Sequence, residues 1–461
     1  MRHAIFLLPL VLALTAKAEK KPNFVFIVAD DLGYADVGVH GSKDIKTPHI
    51  DSLAATGVRF TSGYSNHSVC SPMRAGFLTG RYQHRFGYET NVPYDPRNPH
   101  LGMPDDVVTI PQRMQKAGYA TAAIGKWHLG AHPTKHPNHR GFDFFYGFLG
   151  GGHDYFTVDF REKDDEGYRG ALLRNGTPET FQGYLTDRLS DEAVKWIAAN
   201  KEKPFYLYLA YNAPHSPLQA PEEKIAQFSK IEDGRRRTYA AMVSSMDDGI
   251  GRVLKTLEET GLRENTVVAF LSDNGGAGKA NSSSNLPLRG QKGSFHEGGV
   301  RMPFVVSWPA RFPKGKVDDR PVIALDLPVT AVHLAGAPTD GPLDGKDITP
   351  FLTSQAKDEP IHEALFWRMT LSRRTGYAIR AGNMKLTATS GDGAAHELHN
   401  LATDPNEEKP LDSPADLARL QTLWDAWNKD NIPPAFPGFG AYHPQLDAFH
   451  REIHESMKPK K

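Results

Sequence analysis

The chain holds one cysteine, Cys70, in the run Cys70-Ser71-Pro72-Met73-Arg74, with Leu78-Thr79-Gly80-Arg81 close behind. A single cysteine cannot close an internal disulfide, which leaves buried packing or reactivity as its uses. Pro72 suits the first turn of a helix, where its missing N–H breaks no hydrogen bond. A helix begun here aims the positive end of its dipole at Cys70 and sets Arg74 one turn further on.

Other reactive side chains collect where short apolar runs end. Asp30 and Asp31 follow the run at 24–28, Lys126 and His128 the run at 119–124, His215 the run at Phe205–Ala210, and Asp273 and Asn274 the run at 267–271. Open α/β sheets bind ligands beyond the carboxyl ends of their strands, so these groups are expected to converge. Asp30, Asp31, Asp273 and Asn274 offer oxygen donors, a set suited to a hard cation such as Ca²⁺ or Mg²⁺. Three carboxylates brought together repel unless cations neutralise them. Arg74, Lys126 and Lys292 provide fixed positive charge for an anionic substrate. Lys292 lies in the loop Leu288-Arg289-Gly290-Gln291-Lys292-Gly293, ahead of Glu297-Gly298-Gly299-Val300-Arg301.

The elements that must position these groups read as α/β, a large and mostly parallel sheet sandwiched by helices. Buried strands are expected at 24–28, 119–124, Phe205–Ala210 and 267–271. Helices are expected at 48–56, 108–117, Leu185–Ala199 and 239–262. From residue 361 the pattern changes to short strands at 365–368, 377–380, 384–387 and 396–399, then a helix at 414–427. This reads as a C-terminal subdomain (361–461) with a small antiparallel sheet, after a main domain at 19–360. The tail after Asn431, rich in proline and aromatic residues, is expected to lie as an extended wrap, frayed at 456–461. Residues 1–18 read as an export signal: Arg2, an apolar stretch too short to span a bilayer, then Ala16-Lys17-Ala18. Its removal takes Arg2 and Lys17 and no acid, moving the formal charge from 0 to −2. The chain is therefore placed in the periplasm or outside the cell. Lys+Arg and Asp+Glu are equal at 54, so no overall charge suggests a nucleic-acid partner, and no other run is apolar enough to span a membrane.

The C-x-P-x-R run followed by L-T-G-R resembles the signature of the type I sulfatases of the alkaline phosphatase superfamily. The likeness extends through Ala29-Asp30-Asp31-Leu32-Gly33, Gly125-Lys126-Trp127-His128-Leu129-Gly130, Ser272-Asp273-Asn274-Gly275-Gly276 and the Lys292 loop. Its texture is similar to bacterial carbohydrate sulfatases of the arylsulfatase and N-acetylgalactosamine-6-sulfatase type. The resemblance implies an alkaline-phosphatase-like fold and a Cys70 oxidised by a maturation enzyme to formylglycine, whose hydrate attacks the sulfate of a sulfated glycan. It implies Ca²⁺ held by Asp30, Asp31, Cys70, Asp273 and Asn274, with Mg²⁺ as the alternative. Arg74, Lys126 and Lys292 would then stabilise the sulfate, His215 protonate the leaving oxygen, and His128 take the proton that lets sulfate depart. Met73 stands where many relatives have serine or threonine, outside the C-x-P-x-R core. Candidate sugar contacts are His153 and Asp154, after the glycines at 150–152, together with Arg289 and His296. Two further readings stay open on the sequence: a phosphonate monoester or phosphodiester hydrolase, and a catalytically inactive glycan-binding relative.

Overall fold

In the computed structural model, which describes residues 20–158, 171–353, 359–371, 374–391 and 394–436, the first apolar run forms strand β1 (Asn23–Ala29). Every residue of β1 is buried, as a strand covered on both faces requires. The strands that follow are β2 (Val58–Phe60), β3 (Gly63–Tyr64), β4 (Ala120–Lys126), β5 (Phe144–Phe148), β6 (Leu172–Arg174), β7 (Thr177–Glu179), β8 (Phe205–Ala210), β9 (Thr266–Ser272), β10 (Phe304–Ser307), β11 (Lys316–Asp318) and β12 (Val322–Ile323). Ten of them form one sheet in the order β11-β2-β10-β9-β1-β8-β4-β5-β6-β7. The central run β9-β1-β8-β4-β5 is wholly parallel, while β10 and β6 flank it antiparallel. Parallel pairing puts the carboxyl ends of these central strands on one edge of the sheet.

The helices are α1 (Pro48–Ala55), α2 (Cys70–Thr79), α3 (Ile110–Lys116), α4 (Leu185–Ala199), α5 (Glu222–Gln227), α6 (Gly234–Glu259), α7 (Glu297–Val300), α8 (Asp326–Ala335), α9 (Thr349–Leu352) and α10 (Pro414–Asn428). Alternation along β1 sorts them into two layers. Val25, Ile27 and Ala29 pack with the apolar faces of α1, α4 and α6, and Phe24, Phe26 and Val28 with those of α2, α3 and α8. Helix α3 starts at Ile110 because Thr109 and Gln112 form a capping box. Helix α6 starts at Gly234, earlier than its apolar stripe, because Asp233 accepts the Arg236 N–H and caps a polar first turn.

Strands β13 (Leu365–Leu371), β14 (Arg374–Ala381), β15 (Met384–Gly391) and β16 (Ala395–Asn400) form the expected antiparallel sheet in sequence order. They run longer than their apolar parts, since ladder pairing carries β15 out to the exposed Ser390 and Gly391. Trp367, Leu386, Leu398 and the α10 residues Leu420, Trp424 and Trp427 share a core with Tyr64, Tyr82, Phe295 and Ile323 of the preceding chain. The tail begins as a wrap, with Ile432 N–H bonded to His84 O (3.1 Å) and Ala435 N–H to Gly87 O (2.8 Å). The rest of that tail and the expected export signal lie outside the described residues. No helix among the described residues is long and apolar enough to cross a membrane.

Candidate active site

The carboxyl edge of the sheet carries the cluster. Asp30 and Asp31 leave β1, with Asp31 in the left-handed region (φ 62), a conformation that costs a non-glycine residue about 1 kcal/mol or more. His128, after β4, is left-handed too (φ 56). Between them Gly125 is obligatory: at φ 109 a Cβ would lie 1.9 Å from the Ala210 carbonyl oxygen of β8. This close approach delivers Lys126 to the edge. Asp273 and Asn274 leave β9, with Asp273 N–H bonded to Ala29 O (3.0 Å). Gly275 lets that turn meet α7, where a Cβ would lie 1.9 Å from Gly298 O.

Cys70 is the first residue of α2, so Pro72 lies inside the first turn and does not open it. The Cys70 Sγ lies 3.4 Å from Asp30 Oδ1 and 3.7 Å from Asp31 Oδ1. Arg74 Nη2 is 2.7 Å from Asp273 Oδ2 and 3.8 Å from Asp30 Oδ2. Lys126 Nζ is 2.5 Å from Asp30 Oδ2, and Lys292 Nζ is 2.8 Å from Asp31 Oδ2. His215 Nε2 stands 3.6 Å from Asp31 Oδ2. Ligand atoms of Asp30, Asp31, Cys70 and Asp273 all fall within 4.8 Å of one another, and all four residues are buried. Asn274 belongs to the same set. Its Nδ2 donates to Asp31 Oδ1 (2.7 Å), while its Oδ1 is buried without a hydrogen-bond partner. Turning the carboxamide presents that oxygen to the carboxylates, so the residues fit a hard cation with oxygen donors.

The electrostatics argue against a working thiol. Burial and the Asp273 charge push Cys70 well above its ordinary value, so the thiol keeps its proton where thiolate chemistry needs it gone. Burial and Asp273 also push Asp30 up to about 7. Asp31 moves the other way: burial alone would raise it, but Lys292 and His215 outweigh that and hold it ionised. Burial and the Lys292 charge push His215 down to about 3, and burial with Lys126 and Arg74 holds His128 well below its usual range. Lys292 remains charged because Asp31 outweighs its burial. The cluster thus holds an oxygen-donor set, three fixed cations and two neutral imidazoles around one residue, an arrangement suited to an anionic ester.

Four sequence candidates stand apart from this cluster. His153 is fully buried, with Nδ1 2.6 Å from the Asp154 carbonyl and its ring against Phe148 and Phe181. Asp154 accepts the N–H groups of Phe156 and Thr157 and the Gln219 amide, so it shapes its own loop. Arg289 pairs with Glu397 (2.6 Å) and donates to Glu407 O, and His296 faces Glu407 (3.6 Å). Both therefore tie the Lys292 loop to the C-terminal chain. Three residues not picked out in the sequence do reach the surroundings of Cys70. Asn91 Oδ1 accepts the Ser71 N–H (3.0 Å), Tyr88 OH meets Ser71 Oγ (2.7 Å), and Tyr208 OH lies 3.4 Å from Arg74 Nη1. Asn91 and Tyr88 carry no local signal, because only tertiary folding brings residues 88–91 to α2.

Comparison with known proteins gives a consistent answer. Residues 22–337 match the sulfatase family, and residues 291–426 match the family described as N-sulphoglucosamine sulphohydrolase, C-terminal. Mouse arylsulfatase J is 39% identical over 476 residues, covering 90% of this chain and 77% of that protein. Human N-acetylgalactosamine-6-sulfatase is 32% identical over 441 residues, covering 86% of this chain and 82% of that protein. Among solved structures, Ps i-CgsB in complex with k-i-k-neocarrahexaose superposes with a TM-score of 0.86 at 39% identity, covering 95% of this chain and all of that one.

Proposed function

The chain belongs to the sulfatase family and hydrolyses sulfate esters, and from that premise we propose that its substrate is a sulfated carbohydrate and its nucleophile is residue 70, oxidised from cysteine to formylglycine. The observation that carries the reading is the environment of Cys70: a buried, protonated thiol ringed by three carboxylates, three cations and two histidines. A thiol has no use for those neighbours. Formylglycine would supply a hydrated aldehyde, with one hydroxyl to attack sulfur and a second whose proton loss releases sulfate. The carbohydrate is supported by the relatives named N-acetylgalactosamine-6-sulfatase and by the neocarrahexaose complex.

Asp30, Asp31, Asp273 and Asn274, with residue 70, would hold Ca²⁺, which would draw on a sulfate oxygen and acidify the attacking hydroxyl. Arg74 is locked by Asp273 and orients residue 70, while Lys126 and Lys292 hold the nonbridging oxygens. His215 serves the leaving oxygen beside Lys292. It is neutral as it stands, and the negative charge of the ester and of the departing alkoxide raises its affinity for the proton it must pass on. His128, neutral and buried, is suited to accept a proton in the step that frees sulfate. Residues 19–360 are the proposed catalytic unit and 361–461 a C-terminal subdomain, whose sheet shares a core with the preceding chain. Export through residues 1–18 and a separate maturation enzyme complete the reading.

The test is sulfate release from aryl sulfates and sulfated oligosaccharides, with mass spectrometry of the residue-70 peptide. Formylglycine is expected in the active protein, and Cys70→Ala is expected to lose about 10³-fold or more in kcat/KM. An unmodified thiol in fully active protein would refute the nucleophile. A much higher kcat/KM on an aryl phosphodiester would refute the substrate class.

A further inference from the structure

Three residues before Cys70, His67 is fully buried and takes no part in the cluster described above. Its two ring nitrogens have different partners. Nδ1 lies 3.3 Å from the backbone N–H of Val69, and Nε2 lies 3.1 Å from the carbonyl oxygen of Arg368 on β13. Only an unprotonated nitrogen accepts an N–H, so the ring proton sits on Nε2 and is donated to that carbonyl. Val69 is the residue that caps α2, in extended conformation immediately before Cys70. The segment is also tied on its other side, since Ser65 Oγ lies 2.5 Å from His67 O and 2.6 Å from Asp273 O.

Arg368 is held firmly enough to serve as the anchor. Its guanidinium pairs with the buried Glu89, and it donates to Asn428 Oδ1 (2.6 Å) and Ile432 O (2.6 Å). Glu89 in turn accepts the Thr370 N–H (2.9 Å) on the same strand. Glu89 follows Tyr88, which bonds Ser71 next to the nucleophile. The first turn of α2 is thus gripped from both sides by chain that β13 fixes.

We propose that His67 is a positioning residue for the nucleophile: through Nδ1 it sets the main chain at Val69, and the C-terminal sheet holds its ring through the Arg368 carbonyl. This rests on the reading of residue 70 as nucleophile. A nucleophile displaced by an ångström or less forfeits rate and leaves substrate binding intact, so the effect falls on kcat.

Paired variants test which nitrogen matters. His67→Asn places an acceptor oxygen near the Nδ1 position and abandons Nε2, whereas His67→Gln reaches toward the Nε2 position and abandons Nδ1. Both keep a polar side chain, so both are suited to fold, and thermal melts with residue-70 mass spectrometry show that each is folded and matured. The expected result is a kcat for His67→Asn within about threefold of wild type, with His67→Gln and His67→Ala down about 10- to 100-fold and KM little changed. His67→Gln equal to or better than His67→Asn overturns the proposal, as does a loss confined to KM. Failure of residue 70 itself reads differently, since Cys70→Ala is then active while all the His67 variants are normal.

Discussion

Replacing Lys385 by methionine probes how firmly the C-terminal sheet holds the active-site loop. Lys385 is fully buried on β15, with Nζ 2.8 Å from Glu297 Oε1 and 3.0 Å from Glu407 Oε1. Glu297 opens α7, directly after the Lys292 loop, and also accepts the Tyr64 hydroxyl (2.6 Å) and Arg301 (3.2 Å). Burial alone would raise Glu297, but Lys385 and Arg301 outweigh it and hold the carboxyl at about 2 instead of 4.5. A depressed carboxyl contributes stability that is complete above its unfolded value and disappears as pH falls toward the folded one. At about 1.4 kcal/mol per pH unit this contribution is about 3 kcal/mol at neutral pH. Removing one partner of a buried pair costs about 3–5 kcal/mol by a separate route, and the two figures agree. An unfolding entropy of about 2 cal/mol/K per residue gives about 0.9 kcal/mol/K for the chain, so Lys385→Met is expected to lower Tm by about 3–5 °C. Calorimetry near neutral pH reads this directly. Adding Glu407→Gln removes the second stranded carboxylate and is expected to recover part of the loss. A single variant melting within about 1 °C of wild type, or a double variant no more stable than the single, refutes the reasoning.

Chelation followed by calcium readdition is expected to lower and then restore both Tm and sulfate release. Saturation to about 100 times Kd corresponds to about 2.7 kcal/mol. Asp273→Asn, which removes a negative charge from the donor set and weakens the lock on Arg74, is expected to blunt that response, and a Tm indifferent to chelation in the wild type counts against the cation. Stability is expected to depend on pH through His40, which burial and then Arg59 and Arg301 push down to about 3 from 6.5. Its stabilisation is complete above pH 6.5 and declines by about 1.4 kcal/mol per unit as pH falls toward about 3, because the unfolded state takes up the proton first. Asp247, pushed up to about 6 by burial, works in the opposite direction, so the informative quantity is the difference between wild type and His40→Gln. Identical pH profiles for the two would exclude the effect.

The parts of this molecule legible in the sequence are those whose cause is local. β1, β8 and β9 are continuous apolar runs because both their faces are covered, and α4 shows its buried stripe at Leu189, Ala193, Trp196 and Ile197 in the helical period. The cluster was legible for a related reason. Asp30, Lys126 and Asp273 each sit next to a readable strand, and parallel pairing brings adjacent strand ends together without any long-range information. Elements with no such signature were not legible. β2, β3, β11 and β12 are two or three residues long, and only their partners make them strands.

Arg289 and His296 show what a local reading leaves out. Arg289 and His296 are polar residues in a loop that carries Lys292, and on the sequence nothing distinguishes a group facing substrate from one facing another part of the chain. The difference lies in Glu397 and Glu407, more than a hundred positions away, whose carboxylates claim both side chains. Glu407 also accepts the Glu297 N–H and shares Lys385 with Glu297, so one carboxylate organises the base of the loop. The loop that presents Lys292 to Asp31 is held as well by Lys292 N–H to Gly276 O (3.1 Å) and Gly293 N–H to Ser68 O (2.8 Å). A cluster with this much like charge has no intrinsic preference for its working geometry, because carboxylates and cations each repel their own kind. Its shape must come from outside, and Arg368, Lys385 and Glu407 of the C-terminal chain contribute to it. The C-terminal sheet therefore holds charges at the base of the loop where they would not settle unaided.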